Sequence, residues 1–151
     1  MQMLGKALLT SCVLIIGFFL FTSEVDASEQ TTPQIKEDII SVQSTNYIKE
    51  GNSSIRKLDS KRIGSNCNTS SYSSVQKITC TINLQVKNKS TGQWVNTGNS
   101  KRFVDNSSSY VSGSVHFTIV KGYEYRIRTV HSITHNSSYE SLISVTPGLK
   151  F

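Results

Sequence analysis

The sequence predicts an all-β domain, a sandwich or barrel of short antiparallel strands, and three observations lead there. From Asn46 onward, apolar and polar residues alternate with a period of two. Gly and Asn-Ser clusters break these runs at regular spacing, as turns between short strands do. The chain has only two prolines and no convincing amphipathic helix.

The first element is not part of that domain. Lys6 precedes an apolar run from Ala7 to Phe21, and a polar stretch leads to Val25-Asp26-Ala27, the pattern of a signal-peptide helix cut after Ala27. The run is shorter than the roughly 20 apolar residues of a membrane span, so a retained anchor over residues 7–21 is the lesser alternative. A lipobox reading of Leu9-Thr10-Ser11-Cys12 is weaker still, because cleavage there would expose Val13 to Phe21. Removing residues 1–27 leaves 124 of the 151, enough for one compact domain. It also removes Lys6, Glu24 and Asp26, which raises the net charge from +6 to +7. Residues 28–45 are polar and carry Pro33; they read as a linker or leader with room for one short helix or an added edge strand. The β domain is expected over residues 46–151.

Within it, Ser54 to Gly64 reads as an edge strand or two short ones. Lys77 to Lys87 is the clearest strand: Ile78, Cys80, Ile82, Leu84 and Val86 point one way, and the polar residues between them point the other. Asn88 to Gly92 is a turn before Gln93-Trp94-Val95, and Asn96 to Asn99 is a second turn. Lys101 to Val104 is a short strand, followed by a polar loop from Asp105 to Ser109. Val115, Phe117 and Ile119 alternate along the next strand. Lys121-Gly122 turns the chain into Tyr123 to His131, and Asn136 to Ser138 turns it into Tyr139 to Thr146. Pro147-Gly148 closes the domain.

Cys12 leaves with the signal, so Cys67 and Cys80 form an even pair in an exported chain, which reads as a disulfide. The midpoint between them falls in the turn-rich run Asn68 to Ser74. A hairpin there would place the two cysteines opposite each other on neighbouring strands. Such a bridge stabilises a fold by roughly 3 kcal/mol on the chain-entropy model.

Val120-Lys121-Gly122-Tyr123-Glu124-Tyr125-Arg126-Ile127-Arg128-Thr129-Val130 resembles the penultimate strand of fibronectin type III and related immunoglobulin-like domains, with Ser138 to Thr146 as the final strand. The resemblance implies an antiparallel immunoglobulin-like β-sandwich of about seven strands. It makes Tyr125 a corner residue whose hydroxyl bonds nearby backbone. Cys67 and Cys80 are too close in sequence to be the inter-sheet pair of antibody domains, and Trp94 does not lie between them. The signal peptide, Gly92 to Val95, the Gly-Tyr-x-Tyr-Arg-x-Arg strand and Thr134-His135-Asn136 together resemble small exported proteins of unknown function from spore-forming Gram-positive bacteria. That likeness implies a compartment and a fold but no mechanism.

Chemistry is sparse. His131 and His135 have the spacing of paired metal ligands on a helix, but on a strand four residues span about 13 Å, so no metal site is expected. No serine sits in a Gly-x-Ser-x-Gly elbow, the acids are scattered, and there is no phosphate-cradling Gly loop. No catalytic residue, enzyme activity or cofactor is expected. Five Asn-x-Ser/Thr sequons, at Asn52, Asn68, Asn88, Asn106 and Asn136, read as Asn-Ser turns. The basic clusters carry the only functional content, with Lys121, Arg126 and Arg128 as candidate binding residues; a solvated basic surface is the plainer reading of the charge. Trp94 reads as a core anchor rather than a stacking platform.

The expected function is a secreted, non-catalytic binding module for an anionic wall polymer or a cell-surface protein. Nucleic acid is not the expected partner, and membrane contact would come only through an uncleaved signal. An assembly subunit pairing through strand edges is the alternative, and a small hydrolase the remote one.

Overall fold

The computed structural model describes residues 46–151 in full and the backbone of residues 38–42. The expected signal segment, residues 1–27, lies outside the described residues. So does the expected cleavage site.

Every described element is a strand: β1 Asp38–Val42, β2 Ile48–Lys57, β3 Arg62–Lys87, β4 Trp94–Thr118, β5 Glu124–His135, β6 Ser138–Val145 and β7 Leu149–Lys150. All ladders are antiparallel. The order is β1-β6-β5-β3-β2, with β4 along the other edge of β3 and β7 added to the start of β5. Alternation sets the faces as expected for Lys77 to Lys87: Ile78, Cys80, Ile82 and Leu84 are buried.

Three sequence expectations are corrected. The run Asn68 to Ser74 is not a hairpin turn; it lies inside one 26-residue strand, β3. Asn96 to Asn99 and Asp105 to Ser109 do not separate strands either, because both lie inside the 25-residue β4. Of the two elements that residues 28–45 had room for, the added edge strand forms at Asp38 to Val42, paired with β6. Finally, the chain does not end its fold at Pro147-Gly148: β7 returns to Glu124 and Tyr125.

Geometry shows why β3 must nevertheless double back. Thirteen residues of extended strand span about 43 Å, yet the Cα atoms of Cys67 and Cys80 are 6.4 Å apart and their sulfurs are bonded. The fold occurs at a corner shared with β4. Ser70 pairs with Tyr110 and Val75 with Ser108, so four residues of β3 face a single residue of β4. Serines serve as local partners at this bend. Ser71 Oγ donates to the Ser73 and Ser109 carbonyls, and Ser108 Oγ both donates to the Tyr110 carbonyl and accepts its N–H. Ser107 carries a φ of 52°. Turn-forming residues therefore bend a paired ribbon instead of ending it.

Beyond the corner, residues 62–71 of β3 lie between β2 and the end of β4, while residues 77–86 lie between β5 and the start of β4. The two halves enclose the core: Ile48, Ile63, Cys67, Val111 and Phe117 come from the first, and Ile78, Ile82, Leu84, Ile127, Ile133 and Leu142 from the second. β2 lies against β5 and β6, with which it shares no ladder. At the far hairpin, Asn136 and Ser137 both adopt positive φ, 47° and 63°, as a two-residue turn requires to match strand twist.

Candidate functional site

Two groupings of polar side chains stand out, one sealed in the core and one on the surface. The sealed group follows from the small residues on the inner face of the first half. Gly51, Ser53 and Thr69 are buried there, opposite His131 on β5 and Ser144 on β6. A Cβ at Gly51 would stand 2.6 Å from the His131 ring, so only glycine lets the ring pack where it does.

One chain of hydrogen bonds links the halves. Thr69 Oγ1 donates to the Thr79 carbonyl at 3.0 Å, so it accepts from His131 Nδ1 at 2.8 Å. That places the imidazole proton on Nδ1 and leaves Nε2 to accept from Ser144 Oγ at 2.8 Å. Ser144 Oγ in turn lies 2.8 Å from Ser53 Oγ. Burial lowers the His131 pKa from 6.5 to about 4, opposed by the Asn68 backbone carbonyl, which favours the protonated ring as an acceptor, so the ring is neutral at pH 7.

A serine hydroxyl donating to a histidine is also the geometry of a nucleophile and its base. Here His131, Ser144 and Thr69 are each 0% exposed, and among the described residues no carboxylate joins the chain, so these atoms are sealed from solvent in this fold. His131 does not line a strand end, as its position in sequence suggests, but occupies the centre of the interface. Its partners Thr69 and Ser144 are remote in sequence, and the one available signal was polar residues at inward positions of alternating strands. His135 takes a different place, edge-on to Tyr47 at 5.1 Å. Among the described residues, no group of three or more His, Cys, Asp or Glu side chains is placed to hold a metal.

The surface group lies on the outer face of the second half. Strand register aligns Gln85 with Arg126 and Asn96, Asn83 with Arg128 and Ser100, Thr81 with Arg102, and Lys77 with Asn106. Arg126 Nε donates to Gln85 Oε1 at 2.8 Å, and its guanidinium lies 4.5 Å from the centre of the Trp94 ring. Lys87 Nζ lies 5.6 Å from the same ring and 3.2 Å from Glu124 Oε2. Desolvation, then the like charge of Arg128, lowers the Arg126 pKa; guanidinium nonetheless stays cationic at neutral pH. Trp94 is thus not the expected core anchor: it is half-buried on the outer face and holds cations. Gly148 makes room for this arrangement, since a Cβ there would clash with Glu124 and come within 2.9 Å of Trp94.

Of the three candidate binding residues, Arg126 and Arg128 share this face, while Lys121 sits in the exposed turn before β5. The Arg128 carbonyl accepts from Asn83 Nδ2 at 3.1 Å, but its guanidinium makes no hydrogen bond or ion pair among the described residues.

Next to this face a cleft of about 300 Å³ opens between the β3–β4 loop and the returning C-terminal segment. Lys87, Lys89, Lys150, Glu124, Tyr123 and Phe151 supply its functional groups. The loop is braced by Asn88, whose Oδ1 accepts the N–H groups of Ser90 and Thr91. The opposite wall is tied down by Gly122 N–H to the Phe151 carbonyl at 2.7 Å and Phe151 N–H to the Tyr123 carbonyl at 3.0 Å. Lys89 Nζ lies 4.1 Å from the Tyr123 ring centre. Beneath, the Tyr125 hydroxyl bonds both the N–H and the carbonyl of Val120 at 3.1 Å, the local bond that the resemblance implied for it.

Comparison with curated proteins and with solved structures finds no match. A family model described as "Family of unknown function (DUF6147)" matches residues 15–147, and the chain belongs to that family.

Proposed function

We propose that this is an exported, non-catalytic binding protein, a β-sandwich of immunoglobulin-like type that holds an anionic extracellular partner on the outer face of β3, β4 and β5. The Cys67–Cys80 bond supports an oxidising compartment, because such bonds do not persist in reducing cytosol. The folding of one ribbon into two facing halves, joined by the Tyr125 corner bond, supports the sandwich.

One observation carries the binding reading. Lys77, Lys87, Arg102, Arg126 and Arg128 share a face on which Glu124 is the one acid that register places among them, and Glu124 is already paired with Lys87. Arg126 and Arg128 repel one another there, and an anionic partner relieves that repulsion. Trp94 holds Arg126 in place, which lowers the entropy lost on binding.

The test is retention of the purified protein on an anionic polysaccharide matrix at low and high salt. Retention should fall with salt and should drop about tenfold or more in the Arg126→Glu/Arg128→Glu variant. Salt-insensitive retention, or retention unchanged in the variant, would refute the reading. Intact mass of the protein recovered outside the cell tests export: it should begin at Ser28.

A further inference from the structure

We infer that the cleft beside the cationic face is a binding site for a phosphate group carried on a compact sugar or polyol. The inference rests on the anionic-partner reading and narrows its chemistry. Three ammonium groups, Lys87, Lys89 and Lys150, line the cleft against one carboxylate side chain, Glu124, a side-chain balance of +2. Glu124 already engages Lys87, and among the described residues Lys89 and Lys150 have no carboxylate side chain within ion-pair distance.

Number and arrangement of the cations bear on the type of anion. No arginine lines this cleft. Arginine's planar fork pairs bidentately with carboxylate and phosphate alike, whereas lysines act as compact point charges with rotatable donors, and several of them converging suit the three outward oxygens of a phosphate better than the two of a carboxylate. The remaining wall is aromatic: Tyr123 is 38% exposed, and Phe151 is half-buried against Tyr125, their ring centroids 6.0 Å apart. Such a wall accepts the C–H face of a sugar ring or polyol chain while the ammonium groups hold its phosphate.

Size and rigidity agree. About 300 Å³ lies at the small end of ligand sites, which suits one ring or polyol unit with one phosphate inside the cleft. Both walls are held by backbone hydrogen bonds in the free protein, so binding need not order a loop.

The experiment is an amide NMR titration of the purified protein with glucose 6-phosphate, inorganic phosphate, glucuronate and glucose. Glucose 6-phosphate should give saturable shifts at Lys89, Gly122 and Tyr123, tighter than inorganic phosphate or glucuronate, and glucose should give none. Lys89→Gln/Lys150→Gln should weaken glucose 6-phosphate about tenfold or more. The charge-matched control Lys49→Gln/Lys61→Gln, on exposed positions that do not line the cleft, should not. Absence of saturable shifts, equal binding of glucose, or equal weakening by the control overturns the inference. Displacement of glucose 6-phosphate by short poly(glycerol phosphate) supports a polymer phosphodiester as the source; failure to displace supports a free monoester. Salt-sensitive matrix binding that persists while glucose 6-phosphate fails removes the cleft inference and leaves the broader reading standing.

Discussion

Replacing His131 by Gln tests whether the buried chain of hydrogen bonds is a neutral structural link between the two halves. The glutamine amide offers one donor and one acceptor type, so it can bridge Thr69 and Ser144 as the imidazole does, but it cannot take up a proton. At neutral pH the change should cost about 1–2 kcal/mol through imperfect geometry in two bonds that are each 2.8 Å in the parent. The sharper contrast comes on acidification. His131 has a folded pKa of about 4 against 6.5 when exposed, so the unfolded chain binds a proton that the folded one refuses. Stability from this group is complete above pH 6.5 and is lost as pH falls from there toward about 4. At 1.36 kcal/mol per pH unit the loss reaches about 3 kcal/mol, a large share of a typical domain's stability. Urea unfolding followed by fluorescence of the single tryptophan, Trp94, measures it at several pH values. The parent midpoint should drop steeply between about pH 6.5 and pH 4, and the variant's should stay nearly flat in that window. Parallel decline of the two would refute the burial argument.

The other outcomes follow from single contacts. Cys67→Ser/Cys80→Ser should lower stability by roughly 3 kcal/mol in urea unfolding, because the bridge joins the two halves of one strand. Glu140 accepts the N–H groups of Asn46, Tyr47 and Ile48 at 2.8, 3.0 and 3.1 Å. Desolvation alone would raise its pKa, but these three donors outweigh it and hold it below 4.5, so its stabilisation is present above that pH and is lost as pH falls through the lower folded value. Glu140→Ala should therefore cost about 1–3 kcal/mol at neutral pH and progressively less in acid, read from unfolding midpoints. Gly51→Ala should cost about 1–3 kcal/mol by driving a methyl into the His131 ring, and should shift the His131 ring signals in NMR spectra.

Part of this architecture is legible locally. The alternation of Ile78, Cys80, Ile82 and Leu84 reports a strand buried on one face, because side-chain direction in a strand depends only on parity. The same rule puts Arg126 and Arg128 on one face. The Tyr125 bond is legible too, since its partner Val120 is five residues away. Residue type points to burial for Trp94, whereas its position opposite Lys87 turns it outward.

The bends were not legible. Ser, Asn and Gly stop a strand when no partner bends with it, but β3 and β4 are paired along nearly their whole length. At Ser71 to Ser74 the ladder tolerates extra residues, and serine hydroxyls take up the backbone groups that the corner exposes.

Sequence alone thus determined an all-β chain, its cysteine pair and its cationic strand face, each a matter of periodicity or near neighbours. Tertiary structure decided where the cysteines meet, which histidine is sealed, and that three lysines from separate elements line one cleft. Those depend on bringing residues far apart in the chain into register. Only the fold of the paired β3–β4 ribbon fixes that distance, because a one-residue change at its corner would turn each following side chain to the opposite face.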